Sequence, residues 1–98
     1  MFNKSGQPQG WKKSRITGDS AVASQARILH AIIVNSVTVA GTLTIYDNTA
    51  ESGSSPFVFP FTTAAVPGQV ILVDAEFTTG IYAGYDATLA GAFTLLFR

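Results

Sequence analysis

The chain has no cysteine and a single histidine, and that alone removes several chemistries. Disulfides, thiolate zinc sites and cysteine nucleophiles are excluded together. Charge is also scarce. Only 12% of the 98 residues are charged, against roughly 25% in an average soluble domain. Formal net charge is zero and the pI is near 6.5, so little repulsion keeps copies apart and association is favoured. Long apolar runs are missing too. Stretches without a polar side chain, such as Leu89 to Phe93, fall far short of the ~20 residues that span a bilayer. The opening from Met1 to Ser14 lacks the apolar stretch of a signal peptide. The expectation is synthesis in a cytoplasm and no membrane insertion. Asn3-Lys4-Ser5 fits a glycosylation sequon, which without a secretory signal reads as a chance match. No segment of helix length has a 3.6-residue period, and no repeat of solenoid or propeller length is visible. P-loop, dinucleotide-binding and nucleophile-elbow motifs are absent. The chain reads as non-enzymatic, without cofactor or metal.

What is present divides into two regions. Residues 1–20 carry Lys4, Lys12, Lys13 and Arg15 against Asp19. Residues 21–98 carry Arg27 and Arg98 against Asp47, Glu51, Asp74, Glu76 and Asp86. A basic segment therefore precedes an acidic body. The basic segment is rich in Gly, Ser, Gln and Pro and poor in aliphatics, so burial cannot offset its ordering entropy. It is expected to be a flexible N-terminal arm, followed by one β domain over 21–98.

In that domain short β-rich runs alternate with Gly, Pro, Asn, Asp and Ser, the pattern of a sandwich or barrel. Strands are expected near 26–35, 37–47, 56–63, 69–77 and 87–97, with weaker ones over 15–23 and 80–83. The fold class is all-β: a single small β-sandwich, jelly-roll-like. Leu43 and Ile45 share one face of their strand, opposite Thr42, Thr44 and Tyr46. Phe57, Phe59 and Phe61 share a face, while Pro60, lacking an N–H, marks an edge strand or bulge. In the last strand Phe93, Leu95 and Phe97 lie opposite Ala92, Thr94 and Leu96. Strict alternation likewise sets Ile28, Ile32 and Val34 against Leu29, Ala31 and Ile33. Two strands apolar on both faces need two covers. The six residues Phe57, Phe59, Phe61, Phe93, Leu95 and Phe97 are assigned to the core or to an interface between copies.

Candidate chemistry is thin. His30 lies among apolar residues and is read as structural, since a catalytic or ligand role needs a carboxylate, serine or second ligand converging on it. Asp74 and Glu76 are two apart on an extended run and project from one face, the pattern of a solvated strand. Asp47, Asn48 and Glu51 carry oxygen donors without the spacing of a calcium loop, and read as a turn. The segment with most content is Trp11-Lys12-Lys13-Ser14-Arg15. An indole that plugs a partner's pocket, steered by Lys12, Lys13 and Arg15, fits protein docking better than nucleic acid, because so few cations give weak phosphate binding. A nucleic-acid face in the body is disfavoured, since its Phe-rich strands lack Lys and Arg. A carbohydrate-binding or adhesin domain is the other class, with Tyr46, Tyr82 and Tyr85 as its candidate aromatics.

The strand Arg27-Ile-Leu-His-Ala-Ile-Ile-Val-Asn35, the segment Gly41-Thr-Leu-Thr-Ile-Tyr-Asp47 with its polar turn, Phe77-Thr-Thr-Gly-Ile81 and the final Ala92-Phe-Thr-Leu-Leu-Phe-Arg98 together make the chain resemble small bacteriophage virion proteins with a two-sheet β domain. The resemblance runs from about Ala26 to Arg98. It implies a non-enzymatic subunit present in many copies on a virion, often a trimeric capsid decoration or cement protein and sometimes part of a tail or fibre. The partners it implies are further copies of the chain and other virion proteins such as the major capsid protein.

Overall fold

The computed structural model describes residues 10–53, 55 and 57–98. The first nine residues, with Lys4 and the sequon, and Pro56 at the start of one expected strand lie outside them. Eight strands are present: β1 (Lys12–Ile16), β2 (Ser20–Ala23), β3 (Arg27–Val39), β4 (Gly41–Tyr46), β5 (Phe57–Phe61), β6 (Val70–Phe77), β7 (Ile81–Tyr85) and β8 (Ala90–Phe97). They form two antiparallel sheets, β1-β8-β3-β6 and β2-β7-β4-β5. Apart from the β4–β5 hairpin, each successive strand crosses to the other sheet. That order is the two-sheet, eight-stranded jelly roll.

The core forms where the inner faces of the sheets meet. Leu29, Ile32, Val34, Leu43, Ile45, Ile81, Phe77, Phe93 and Leu95 have at most 1% of their surface accessible. Phe61 from β5 and Phe93 from β8 join the sheets with ring centroids 4.8 Å apart. Phe57 stacks on Phe59 and on Phe77 at the open side of the sandwich. β5 pairs only with β4, so Pro60 sits on a sheet edge, where its missing N–H breaks no ladder. Of the six residues assigned to core or interface, Phe61, Phe93, Leu95 and Phe97 are buried and Phe57 and Phe59 are half-buried against the core.

Three expectations are corrected. The arm does not extend to residue 20, because Lys12–Ile16 is an edge strand in register with β8, and its last residue, Ile16, is 3% exposed. One apolar side chain at the end of a polar strand, with all five residues in unbroken antiparallel register with β8, holds a segment whose composition alone argues against order. The second correction is the break near residue 36. β3 runs unbroken to Val39 and turns into the other sheet at Ala40. Along it, Leu29/Ala31, Val34/Ser36 and Val37/Val39 are irregularities against β8 that take up one extra residue each. Such bulges bend and twist a strand, which lets a long strand reach the corner between sheets. At one of them Gly91 comes so close that an added Cβ would collide with the Ser36 carbonyl oxygen.

The third correction follows from the first of these bulges. Strict alternation sets Leu29 opposite Ile32 and Val34, yet all three face the core, in register with Phe97, Leu95 and Phe93. Between the row Phe97–Leu29–Ala75 and the row Leu95–Ile32–Ile71, β8 spends two residue steps, β3 three and β6 four. The sheet fans open at this level, and His30 and Asp74 occupy the fan.

Candidate interaction surface

The outer face of the β1-β8-β3-β6 sheet carries the charged residues Lys13, Arg15, Asp74 and Glu76 singled out from the sequence. Register places them in rows. Lys13, Leu96, Ala31 and Leu72 follow one another across the four strands, as do Arg15, Thr94, Ile33 and Val70. Above them Arg98 exchanges both backbone hydrogen bonds with Ile28, which is in register with Glu76. The face is apolar through its middle, with cations along β1 and carboxylates at the upper end of β6. Leu72 is 67%, Val70 53% and Ile28 39% exposed, which is unusual for large aliphatics grouped on one sheet.

At the fan sits a polar and aromatic cluster. The His30 Nδ1 and the Asp74 carboxylate lie 2.5 Å apart. Asp74 has a φ of 46°, a left-handed conformation that aspartate tolerates better than most residues. Trp11 stacks flat on His30, with ring centroids 4.2 Å apart and planes 5° from parallel. The Arg98 guanidinium carbon lies 4.2 Å from the centre of the Trp11 ring, a cation–π distance. β1 begins one residue after Trp11, opposite the end of β8, so the indole lies across the Arg98 end of that strand to reach β3. Trp11 therefore has partners within its own domain, His30 and Arg98. It remains 37% exposed. Lys12, Lys13 and Arg15 are exposed along β1. His30 is met by a carboxylate, as the sequence could not reveal, and also by an indole; both come from elements distant in the chain.

The opposite sheet holds the tyrosines. Tyr46 and Tyr82 are in register on the outer face of β4 and β7, edge to face at 6.3 Å. Burial, then the charges of Asp19 and Glu51, push the Tyr82 hydroxyl above its usual pKa. The Glu51 carboxylate lies over Gly84, where a Cβ would meet it at 2.9 Å. Tyr85 does not join them. Its ring packs on Phe93 and its hydroxyl donates to the Gly91 carbonyl at 2.8 Å, and burial pushes its pKa to about 12. Alternation sets Tyr85 with the buried Ile81 and Ala83, opposite Tyr82, and the side chain reaches inward between the sheets.

Two aspartates tie the ends of the sandwich. Asp47 accepts from the backbone N–H of Thr79 (2.8 Å) and Thr78 (3.1 Å), and these bonds hold its pKa below the usual carboxylate value. Asp86 does the same for Leu89 (2.8 Å), Thr88 (3.0 Å) and Thr42 (2.9 Å). Asn48 bonds the Ser52 carbonyl, closing the loop after β4. The Asp47, Asn48 and Glu51 segment is thus a turn, as its composition indicates. Among the described residues no group of three or more His, Cys, Asp or Glu is arranged to hold a metal ion, and no helix is long and apolar enough to cross a membrane. Comparison of the chain with protein-family models, with curated proteins and with solved structures finds no match in any of the three.

Proposed function

We propose that this chain is a non-enzymatic virion structural subunit that decorates or cements a phage capsid, made in the host cytoplasm and assembled onto the particle. It acts by contact with its own copies, as a trimer on the resemblance to decoration proteins, and with other virion proteins such as the major capsid protein. The observation that carries this reading is the apolar outer sheet face, where Val70 and Leu72 on the β6 edge and Ile28 on β3 project into solvent, across the sheet from the Trp11, Lys12, Lys13 and Arg15 edge. A small domain with so little charge gains by covering such a face. Jelly rolls serve in capsid domains but also in lectins, so the fold adds consistency and the surface carries the argument. The test is sedimentation mass combined with electron microscopy of purified particles of the phage encoding the chain, prepared without this subunit and then incubated with it. Ordered added density at symmetry-related positions is expected. A chain that sediments as a monomer and leaves the particles bare overturns the reading.

A second reading has a specific observation in its favour. The Tyr46–Tyr82 pair beside the Glu51 carboxylate offers an aromatic surface with an acceptor, which suits a sugar ring and a tail, fibre or adhesin-type carbohydrate-binding domain. A glycan array tests it; binding lost in Tyr82→Ala favours it over the first reading, and an array without hits disposes of it.

A further inference from the structure

Two edges of one sheet carry opposite charge. On β1 the exposed cations Lys13 and Arg15 alternate with the half-buried Ser14. On β6 the exposed residues are Val70, Leu72, Asp74 and Glu76, every second residue of the strand. Both strands are sheet edges, with one neighbour each. An exposed apolar edge strand invites pairing with another chain, and proteins that avoid it place charge or proline there. Here the β1 edge is charged with one sign and the β6 edge with the other, so like edges repel and unlike edges attract. That arrangement selects against β1 on β1 and β6 on β6 while favouring β1 on β6.

Resting on the reading of the chain as a self-assembling subunit, we propose that the β1 edge of one copy docks on the β6 stripe of a second copy, Lys13 and Arg15 meeting Asp74 and Glu76 around Leu72 and Val70. The apolar pair supplies the burial: 67% of Leu72 and 53% of Val70 is accessible in the single chain, and exposed ion pairs alone contribute little. The charges set register and partner choice. Trp11 stands at the upper end of the same β1 edge and brings a partly exposed indole to the contact. Because the two surfaces differ, the contact joins copies head to tail or reciprocally about a two-fold axis, and closure of the ring sets the copy number.

Charge reversal tests the contact. One variant carries Lys13→Glu and Arg15→Glu. A second carries Glu76→Lys with Asp74→Asn, asparagine being a residue that accepts the left-handed backbone. A third carries Leu72→Lys, at a position exposed enough that the fold, followed by circular dichroism, should not change. Sedimentation velocity of the full chain is expected to give an oligomer for the natural sequence. Each charge variant alone should associate roughly ten-fold or more weakly, and mixing the two should restore the contact between unlike copies, seen as heterodimers at the least. Leu72→Lys should stay dissociated while keeping the native spectrum. A natural chain that remains monomeric, or an oligomer that no variant weakens, overturns the contact. The particle experiment separates this result from the wider reading: decorated particles with no effect of these variants sink the contact alone, whereas an oligomer with this pattern and bare particles sinks the virion reading alone.

Discussion

His30 and Asp74 meet at 2.5 Å from neighbouring strands, at the level where β3 and β6 each take up residues that β8 does not have. The contact depends on the backbone of Asp74, whose φ of 46° carries the carboxylate towards the imidazole. Asp74→Asn keeps an acceptor and a residue that tolerates that conformation, and should change stability by no more than about 0.5–1 kcal/mol. Asp74→Val puts a β-branched side chain in the left-handed region and should cost about 1–3 kcal/mol, although the position is largely solvent-exposed. Urea denaturation of both variants decides the matter: equal midpoints would show that the backbone is not held left-handed.

Phe93 is the ring around which the sandwich closes, fully buried and packed on Phe61 and Tyr85. Phe93→Ala should cost about 3–5 kcal/mol, whereas Val58→Ala, on the outer side of the β5 edge, should stay within about 0.5 kcal/mol. Because the Phe61 ring centroid lies 4.8 Å from that of Phe93, the Phe61→Ala/Phe93→Ala pair should be less costly than the sum of the singles. Denaturant unfolding of the two single variants and the double variant supplies the comparison, and strict additivity would remove the coupling.

The same residues mark how far the sequence could be read. Alternation in Phe93, Leu95 and Phe97 and in Leu43 and Ile45 is a local signal, and it places those side chains on the face they occupy. It holds while strands are regular. It fails at Leu29, because whether a strand carries a bulge depends on its neighbours, here a β8 that has one residue fewer at that level. It fails for β1 on different grounds: Lys12–Ile16 is ordered by the β8 edge it pairs with, a partner about eighty positions away in the chain. The His30, Asp74, Trp11 and Arg98 cluster was illegible for the same reason, since four elements contribute to it. Lys13, Arg15, Asp74 and Glu76 were each visible as charges, but their placement on opposite edges of one sheet needs the strand order.

Ile16 provides the direct check on the corrected boundary. If β1 belongs to the sheet, Ile16→Ala should cost about 2–5 kcal/mol, and removal of residues 1–19 should strip β8 of one of its two neighbours and lower the thermal midpoint sharply. Arg15→Ala, exposed on the same strand, should have an effect within about 0.5 kcal/mol. A truncated chain that melts with the full-length one would return the segment to the status of a dispensable arm.

The capping aspartates give the fold an acid limb whose sign can be worked out. Backbone N–H groups of Thr79 and Thr78 on Asp47, and of Leu89 and Thr88 on Asp86, favour the ionised carboxylates, so both pKa values are lowered in the folded chain. An unfolded chain then binds protons before the folded one does as the pH falls. The stabilisation from these groups is present above the unfolded carboxylate pKa of about 3.9 and is lost as the pH drops through that value towards the lowered folded ones. Asp47→Asn/Asp86→Asn removes both ionisations while keeping one acceptor oxygen at each site. The double variant should be less stable than the natural chain at about pH 6, and the difference should shrink as the pH approaches 3 or below. Gly41 should be sensitive at the same place, because a Cβ there would meet the Asp86 Oδ1 and the Leu89 N–H nitrogen at 2.5 Å. Urea midpoints across this pH range provide the measurement. Stability curves for variant and natural chain that run parallel through the acid range would mean that these carboxylates do not set the acid limb.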